Sequence, residues 1–508
     1  MSRTKSTIKN LATALIGQLL GMIIGFFSRG LFLKFLNEEY LGLNSLFANI
    51  LTIFSLVELG VGPAMNFSLY KPLAEKNIQK IKSLMALYKK AYIIIGICIA
   101  VISLLFTPFY TIFMDTVPDI PNLNLIYWLF ALNTVVSYFF SYKRALIICD
   151  EKRYVDTTYH YIFNILKNIF QIIFLAATKN YILFLLIQVA FTFAENFGVS
   201  QKADKMYPYL KENNIEPISE ETSNEIKKNI GAMLIHKIGG MVVFSSDNII
   251  MSKFVGLVSV GIYSNYYLII DSLGQIITQI FTSVTASVGN LNASENESIK
   301  LEDILNKMFF LNFWIYGFCS CCLWVLFNPF ISIWLGDNFL FNDFTVMIIV
   351  INFYLTGMRQ SVQIFKEATG SFYYDRYKPI IESVINIVAS IWLAKKIGVA
   401  GVFLGTVIST VTTCIWIEPY VLYKYTFKKS AKGYAGNFVV YTLISITAAV
   451  ITSCAANFVS IENALAAFII KIIICILIPN LFFLLCYFKT DKFRFFISLI
   501  WELKKNII

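Results

Sequence analysis

Charge is what this chain has least of. Of its 508 residues, 14% are Asp, Glu, Lys or Arg while 57% are hydrophobic, and the mean hydropathy is +0.67. Soluble chains run about 25% charged and about 45–50% apolar, so a soluble domain of this length could not hide the apolar surface. Nucleotide chemistry is missing too. The hydrophilic segments hold no P-loop and no glycine-rich nucleotide motif, which excludes ATP as the direct energy source. Cysteine offers no framework: the nine are an odd number and nearly all fall in apolar runs. Cys319, Cys321 and Cys322 share one helix at a spacing that suits neither a zinc cage nor a disulfide, so they read as small packing residues.

Long apolar runs fill the chain instead, among them 91–113, 437–458 and 464–487. Each reaches the length of about 20 residues that crosses roughly 30 Å of hydrocarbon. The reading is an all-α polytopic membrane protein, with helices near 9–35, 41–66, 90–113, 122–145, 159–178, 181–200, 228–252, 258–288, 303–330, 342–366, 378–396, 401–422, 437–458 and 464–487. Fourteen crossings put both termini on one side, and most of the 42 Lys and Arg fall in loops and termini on that side. By the positive-inside rule that side is cytoplasmic. The net charge of +11 is therefore topology, and no nucleic-acid partner is implied. The first helix is too long for a cleaved signal and lacks a small-x-small site, so it reads as a retained signal-anchor. The segments expected outside (114–121, 179–180, 253–257, 331–341, 395–400 and 459–463) are all short, which excludes a large extracytoplasmic catalytic domain.

A repeat organises the helices. At an offset of 219, KNLATALIGQLLGMII (9–24) lies over KNIGAMLIHKIGGMVV (228–243), and KFLNEEYLGLNS (34–45) over KFVGLVSVGIYS (253–264), without a gap. An even number of helices separates the copies, so they share one orientation, as in a parallel repeat about an axis along the membrane normal. The expected domains are an N-lobe of helices 1–6 (1–210), a C-lobe of helices 7–12 (211–430), and helices 13–14 with a basic tail (431–508). The join 201–227 is the one long loop, and Thr222 and Glu225 have capping-box spacing there.

Ionisable residues inside the spans are the functional signal. At mid-bilayer each costs about 2.5–3.5 kcal/mol on insertion scales and normally faces a cavity or a partner. Those singled out are Arg29, Glu58, Lys167, Lys237, Asp247, Asp271, Arg359 and Glu382. Gln18 and Arg29 are eleven residues apart, on nearly one helix face, and the offset maps them onto Lys237 and Asn248. His236 and Asp247 repeat the spacing, and Asp271 maps onto Thr52, near Ser55 and Glu58. Polar stripes on helices 1, 2, 7 and 8 are thus expected to converge on a hydrated seam with a cationic wall. Other placements stay open. Arg29 can snorkel to the NEEY loop, Lys167 and Lys237 can pair with Asp247 or Asp271, and Arg359 and Glu382 can belong to the cytoplasmic rim. His236 suits packing as well as proton transfer, and His160 reads as interfacial.

The stretch LVELGVGPA (56–64) resembles the acidic–Leu–Gly–x–Gly–x–Ala segment of bacterial polysaccharide transporters, the Wzx-type repeat-unit flippases of the MOP superfamily. The matched residues are Glu58, Leu59, Gly60, Gly62 and Ala64, and LGLNSLF (41–47) is similar to the family's opening of helix 2. The resemblance extends to length, helix number, repeat and C-terminal pair. It implies a flippase that moves an undecaprenyl-diphosphate-linked oligosaccharide across the bacterial cytoplasmic membrane by alternating access, for capsule, exopolysaccharide or O-antigen synthesis. It also implies that membrane lipids, a polysaccharide polymerase and chain-length machinery are partners, and that there is no enzymatic activity and no cofactor beyond Na⁺ or H⁺ coupling. On that reading Arg29, Lys167, Lys237, Arg359, Asn44 and Asn248 contact the cargo, and Glu58, Asp247 and Asp271 couple transport to an ion. Guanidinium and ammonium groups offset the cost of moving a diphosphate. Asn44, Asn49, Tyr263, Asn265, Tyr266 and Tyr267 suit sugars or, equally, packing. A lipid II flippase or a MATE-like cation-coupled antiporter is the alternative within the superfamily. A polymerase or glycosyltransferase fits less well, because the external carboxylates (Glu38, Glu39, Asp115, Asp119, Asp337, Asp343) are scattered on short loops.

Overall fold

The computed structural model describes residues 3–58, 61–212, 214–216, 245–292, 298–369 and 371–494, and among these it is all helix and connection, with no strand. Among the described residues, eight helices are long and apolar enough to cross a membrane, or nine if one bent pair is a single span. The chain is a multi-pass α-helical protein. It divides into two compact units, Met1–Gly261 and Ile262–Ile508.

The first unit begins with α1 (Arg3–Phe35), α2 (Glu38–Phe54), α3 (Val61–Ala74) and α4 (Ile78–Phe106). It continues with α5 (Leu123–Phe139), α6 (Ser141–Cys149), α7 (Arg153–Thr178) and α8 (Tyr181–Met206). A helix over 245–254, α9, follows, and then the start of α10 (Leu257–Asn292). The expected second span is broken: α2 gives way to a 3₁₀ turn, Ser55–Glu58, before α3. The expected fourth span bends by 46° between α5 and α6. Hydroxyl back-bonding supplies the bend. Thr134 donates to the Phe130 carbonyl at 3.1 Å, Ser137 to Thr134 at 2.6 Å, and Ser141 to Ser137, and each such bond competes with the helix ladder.

Two apolar clusters mark the two ends of this unit. One joins Phe32, Phe47, Tyr110, Tyr127 and Tyr181; the other joins Tyr88, Tyr92, Leu146, Val199 and Tyr207. The segments expected on one face of the membrane do gather at one end. Lys253 Nζ donates to the Met114 carbonyl at 3.0 Å, Asp115 N to Ser252 O at 3.1 Å, and the Tyr40 and Tyr181 rings lie 4.9 Å apart. The segments expected on the opposite face gather at the other. Lys82 pairs with Glu212 at 3.1 Å and Tyr207 donates to Asp150 at 2.7 Å.

In the second unit, α10 is followed by α11 (Ser298–Leu335), α12 (Asp343–Met358), α13 (Gln360–Thr369), α14 (Lys378–Ile397), α15 (Val399–Ser409) and α16 (Ile415–Leu422). The chain ends in α17 (Lys432–Asn457) and α18 (Ala464–Tyr487), which pack against α11. Phe309, Phe313, Tyr441, Phe483 and Tyr487 form the aromatic contact of these three helices. The expected twelfth span carries two π-helical turns, Thr410–Cys414 and Tyr423–Phe427, on either side of α16.

Structural landmarks keep the 219 offset far beyond the two helices where the letters match. The fourth span breaks at Phe140 and again at Arg359. The fifth closes on a positive-φ residue, Lys179 (51°) and then Gly398 (62°). Helices α2 and α10 start at Glu38 and Leu257. These last two cross reciprocally: a Cβ on Gly42 would lie 2.1 Å from Leu257 O, and one on Gly261 would lie 2.2 Å from Glu38 O. Both pairs exchange under the offset, as a local twofold requires. Only glycine permits so close a crossing. The start of α10 is therefore seated in the first unit, which runs to Gly261.

Candidate functional site

Among the described residues, interior charges fall into two ion networks, one per unit, plus a small remainder. In the second unit Arg359 stands at the α12–α13 break, where the interruption of the helix turns its side chain inward. Its Nε and Nη2 donate to the two oxygens of Glu418 on α16, at 3.1 and 2.7 Å, and Nη1 lies 3.7 Å from Glu382 on α14. Lys378, at the start of α14, bridges the same two carboxylates at 2.6 and 3.3 Å. Lys366 and Asp375 make a further buried pair. Three cations meet three carboxylates, so the cluster is neutral in sum.

The first unit repeats the plan. Arg144 on α6, just past the bend, pairs with Glu195 on α8 at 2.5 Å and with Asp156 on α7 at 3.2 Å. His160 Nδ1 lies 3.2 Å from Glu195, and Lys143 pairs with Asp204 at 2.7 Å. Glu195 shifted by 219 falls on Cys414, one turn before Glu418, so each unit carries a buried carboxylate near one level of its sixth span. In both units that carboxylate braces the bend of the fourth span against the fifth and sixth.

Lys167 lies outside these pairings. It sits partly buried in the middle of α7, makes no ion pair or hydrogen bond among the described residues, and has Glu195 as its electrostatic neighbour. Its level relative to Arg29 follows from packing. Tyr161 of α7 fills the surface left by Gly17 and Gly21 of α1, and Phe32 of α1 meets Tyr181 just past the end of α7, so the two helices run parallel. Lys167 lies six residues beyond that glycine contact and Arg29 eight to twelve. At 1.5 Å per residue these are about 9 Å and about 12–18 Å, which sets the two cations between about half a turn and under two turns apart along the helices. At about the level of Lys167 on α1 is Gly25, beside which a Cβ would meet nothing within 4 Å.

The remaining expected residues are dispersed. Glu58, in the 3₁₀ turn, accepts from Tyr92 at 3.2 Å, with Tyr138 stacked on Tyr92. Asp271 accepts from Gln275 at 2.6 Å. Asn44 is partly buried on α2; Asp247 is partly buried and engaged on α9. Beside it, Asn248 Oδ1 is buried without a hydrogen-bond partner. Lys237 and His236 lie outside the described residues. Arg359, expected among the cargo contacts, has its guanidinium against Glu418 and Glu382. His160, expected at the interface, is exposed and lies beside Glu195. Sequence reasoning passed over Glu195, Glu418, Arg144 and Lys378. Glu195 and Glu418 were visible as single carboxylates inside apolar spans.

No family model and no curated protein matches the chain by sequence. Solved structures do match its fold. An inward closed conformation of the lipid II flippase MurJ superposes with a TM-score of 0.65 at 17% identity, covering 93% of this chain and 98% of that one. An inward-facing multidrug resistance MATE family transporter of the MOP superfamily gives 0.61 at 12% identity, covering 79% and 95%. A Vibrio cholerae MATE transporter gives 0.57 at 12% identity, covering 81% and 94%. In fold, this chain is similar to flippases and transporters of the MOP superfamily.

Proposed function

We propose that this chain is a flippase of the bacterial cytoplasmic membrane, with both termini in the cytoplasm, that carries an undecaprenyl-diphosphate-linked oligosaccharide to the external leaflet by alternating access. The observation that carries the reading is Lys167, a mid-span ammonium without an ion pair among the described residues, set within two turns of the level of Arg29 on a parallel helix. A diphosphate has about two negative charges to shed from water, and two nearby cations in a medium of low dielectric favour that transfer. Gly25 leaves room beside them for a head group. Lys237, Asn248 and Asn44 extend the cargo site on this reading, and Arg359 braces its own unit. Glu58, Asp247 and Asp271 are the coupling carboxylates, for Na⁺ or H⁺. The resemblance at 56–64 supports a polysaccharide repeat unit as cargo and a polymerase with its chain-length machinery as downstream partners. The chain acts as a carrier and makes or breaks no bond.

The test is complementation of a deletion strain with Lys167→Gln and Arg29→Gln, singly and together, scoring which leaflet holds the lipid-linked glycan. Trapping on the inner leaflet, with normal amounts of folded protein, is expected. Normal flipping by the double variant rejects the cationic site.

Lipid II is the second reading, favoured by the 93% coverage of this chain in the superposition on the lipid II flippase. Both cargoes are polyprenyl diphosphates, so the same site serves. Depletion separates them: accumulated lipid II with arrested wall growth selects this reading, and accumulated repeat unit with intact wall selects the first.

A further inference from the structure

One cluster in the second unit plays no part in the interior chemistry. It lies where α14 begins and the second π turn ends. Tyr374 and Tyr425 stack face to face, ring centroids 3.8 Å apart at an interplanar angle of 1°. Both are exposed, as are Tyr377 and Tyr420. Two cations stand among the rings. The Arg376 guanidinium lies 5.0 Å over Tyr377. Lys424 Nζ is 5.3 Å from the centroids of both Tyr420 and Tyr425 and donates to the Tyr420 hydroxyl at 3.0 Å. No carboxylate lies within ion-pair distance of Lys424 among the described residues.

This arrangement is built into the fold. Ser371 and Thr426 share a hydrogen bond at 2.6 Å, and Thr369 and Ser371 another at 2.8 Å, which pin the 3₁₀ turn Ser371–Asp375 against the π turn. Below the cluster, Ile380, Val384, Val388 and Trp392 recur every four residues on the outer face of α14, all exposed. That spacing makes one apolar stripe along the helix. Cationic and phenolic groups at the span's end, continuous with an apolar stripe down the span, have the chemistry of a whole phospholipid: anionic phosphate above, acyl chain below.

We propose that this surface is a stoichiometric site for an anionic phospholipid of the leaflet at that end of the bundle, the cytoplasmic one by charge bias. Lys424 and Arg376 bind the phosphate, the four tyrosines frame it, and the stripe on α14 takes an acyl chain. The site also touches the interior. Tyr377 precedes Lys378, and α16 carries Glu418 on its buried face, so occupancy braces the same helices that the ion network joins.

The experiment is native mass spectrometry of the detergent-purified chain with added phosphatidylglycerol, against phosphatidylcholine of the same acyl composition and against inorganic pyrophosphate. One phosphatidylglycerol per chain is expected, held at least tenfold better than phosphatidylcholine and not displaced by pyrophosphate. Lys424→Gln, an exposed change that breaks no ion pair, should reduce retention several-fold, and Arg376→Gln with it should abolish the preference. The pair Lys395→Gln and Lys396→Gln, at the other end of α14, should leave it intact. Equal retention of both lipids, or unchanged retention in the Lys424→Gln variant, overturns the site. Displacement by pyrophosphate overturns the membrane lipid as occupant and assigns the surface to the cargo's head group.

Discussion

Replacing Glu418 by Gln tests whether the second unit's ion network is structural. The change keeps shape and removes one charge. Arg359 loses its bidentate partner at 2.7 and 3.1 Å, Lys378 loses its contact at 2.6 Å, and both fall back on Glu382 at 3.7 and 3.3 Å. The quartet then holds two cations and one carboxylate where nearly all of its area is out of solvent. Breaking a buried pair by removing one partner costs about 3–5 kcal/mol. Against a whole-domain stability of about 5–15 kcal/mol this is a large fraction. In a unit of some 250 residues, about 2–4 °C per kcal/mol converts it to a fall in Tm of about 6–20 °C. The measurement is thermal unfolding in detergent, read by fluorescence-detected size exclusion. Arg359→Met added to Glu418→Gln removes the surplus cation and should recover at least half of the loss, because an apolar side chain of similar volume replaces a buried ion at little cost. A fall of less than about 2 °C for Glu418→Gln, or no recovery in the double variant, would show that water reaches the quartet and that it does not brace the bend.

The other predictions are shorter. Lys167→Met should leave Tm unchanged or raise it by a few degrees, since no ion pair is broken, while lowering flipping at least tenfold; a fall in Tm as large as that of Glu418→Gln would make Lys167 a structural cation. Gly42→Ala brings a methyl within 2.1 Å of Leu257 O and should cost about 1–3 kcal/mol by thermal unfolding. Gly261→Ala should cost about the same, and the double variant less than the sum, because the contact is reciprocal; full additivity would show two independent sites. Lys82→Ala removes a pair to a largely exposed Glu212, worth about 0–1 kcal/mol, so limited proteolysis near 207–216 should quicken while Tm stays nearly constant.

Hydropathy made the helix pattern legible, and the offset of 219, drawn from ten identical letters over two helices, extends to breaks and caps that share no letters. Phe140 and Arg359 have nothing in common as residues, yet both sit where the fourth span turns. The breaks themselves were not legible. Thr134, Ser137 and Ser141 are unremarkable in an apolar run, and only their back-bonds show why α5 stops. The π turns around α16 were hidden for the same reason, with Thr412 donating to Ile408 O at 2.7 Å and Thr413 to Ser409 O at 2.6 Å. Interior charge was half legible. A cation in a span is conspicuous, but whether it is spent depends on a carboxylate distant in sequence: 51 residues separate Arg144 from Glu195, and 59 separate Arg359 from Glu418.

That distinction carries the functional argument further than a count of buried charges. A paired cation and an unpaired one have the same sequence signature but opposite energetics. Arg359 and Lys378 face Glu418 and Glu382 in a fixed ring of contacts, so a diphosphate arriving there would have to displace carboxylates already held at hydrogen-bond distance. Lys167 has no such bond to give up among the described residues, and the desolvation of its ammonium is offset only in part, by Glu195 as an electrostatic neighbour. A charge only partly offset lowers stability at rest and adds to affinity when an anion binds, which on the proposed function suits a cargo that must be held and then released. The repeat sharpens the point. Lys167 shifted by 219 is Asn386, fully buried and donating to Thr406 at 2.9 Å. The two units thus share an ion brace but differ in charge at this position, and on the proposed function the first unit is where a phosphorylated lipid head is gripped. Exchanging the pair, with Lys167→Asn and Asn386→Lys together, should abolish flipping although net charge and composition are conserved; retained flipping would show that the position of the charge does not matter.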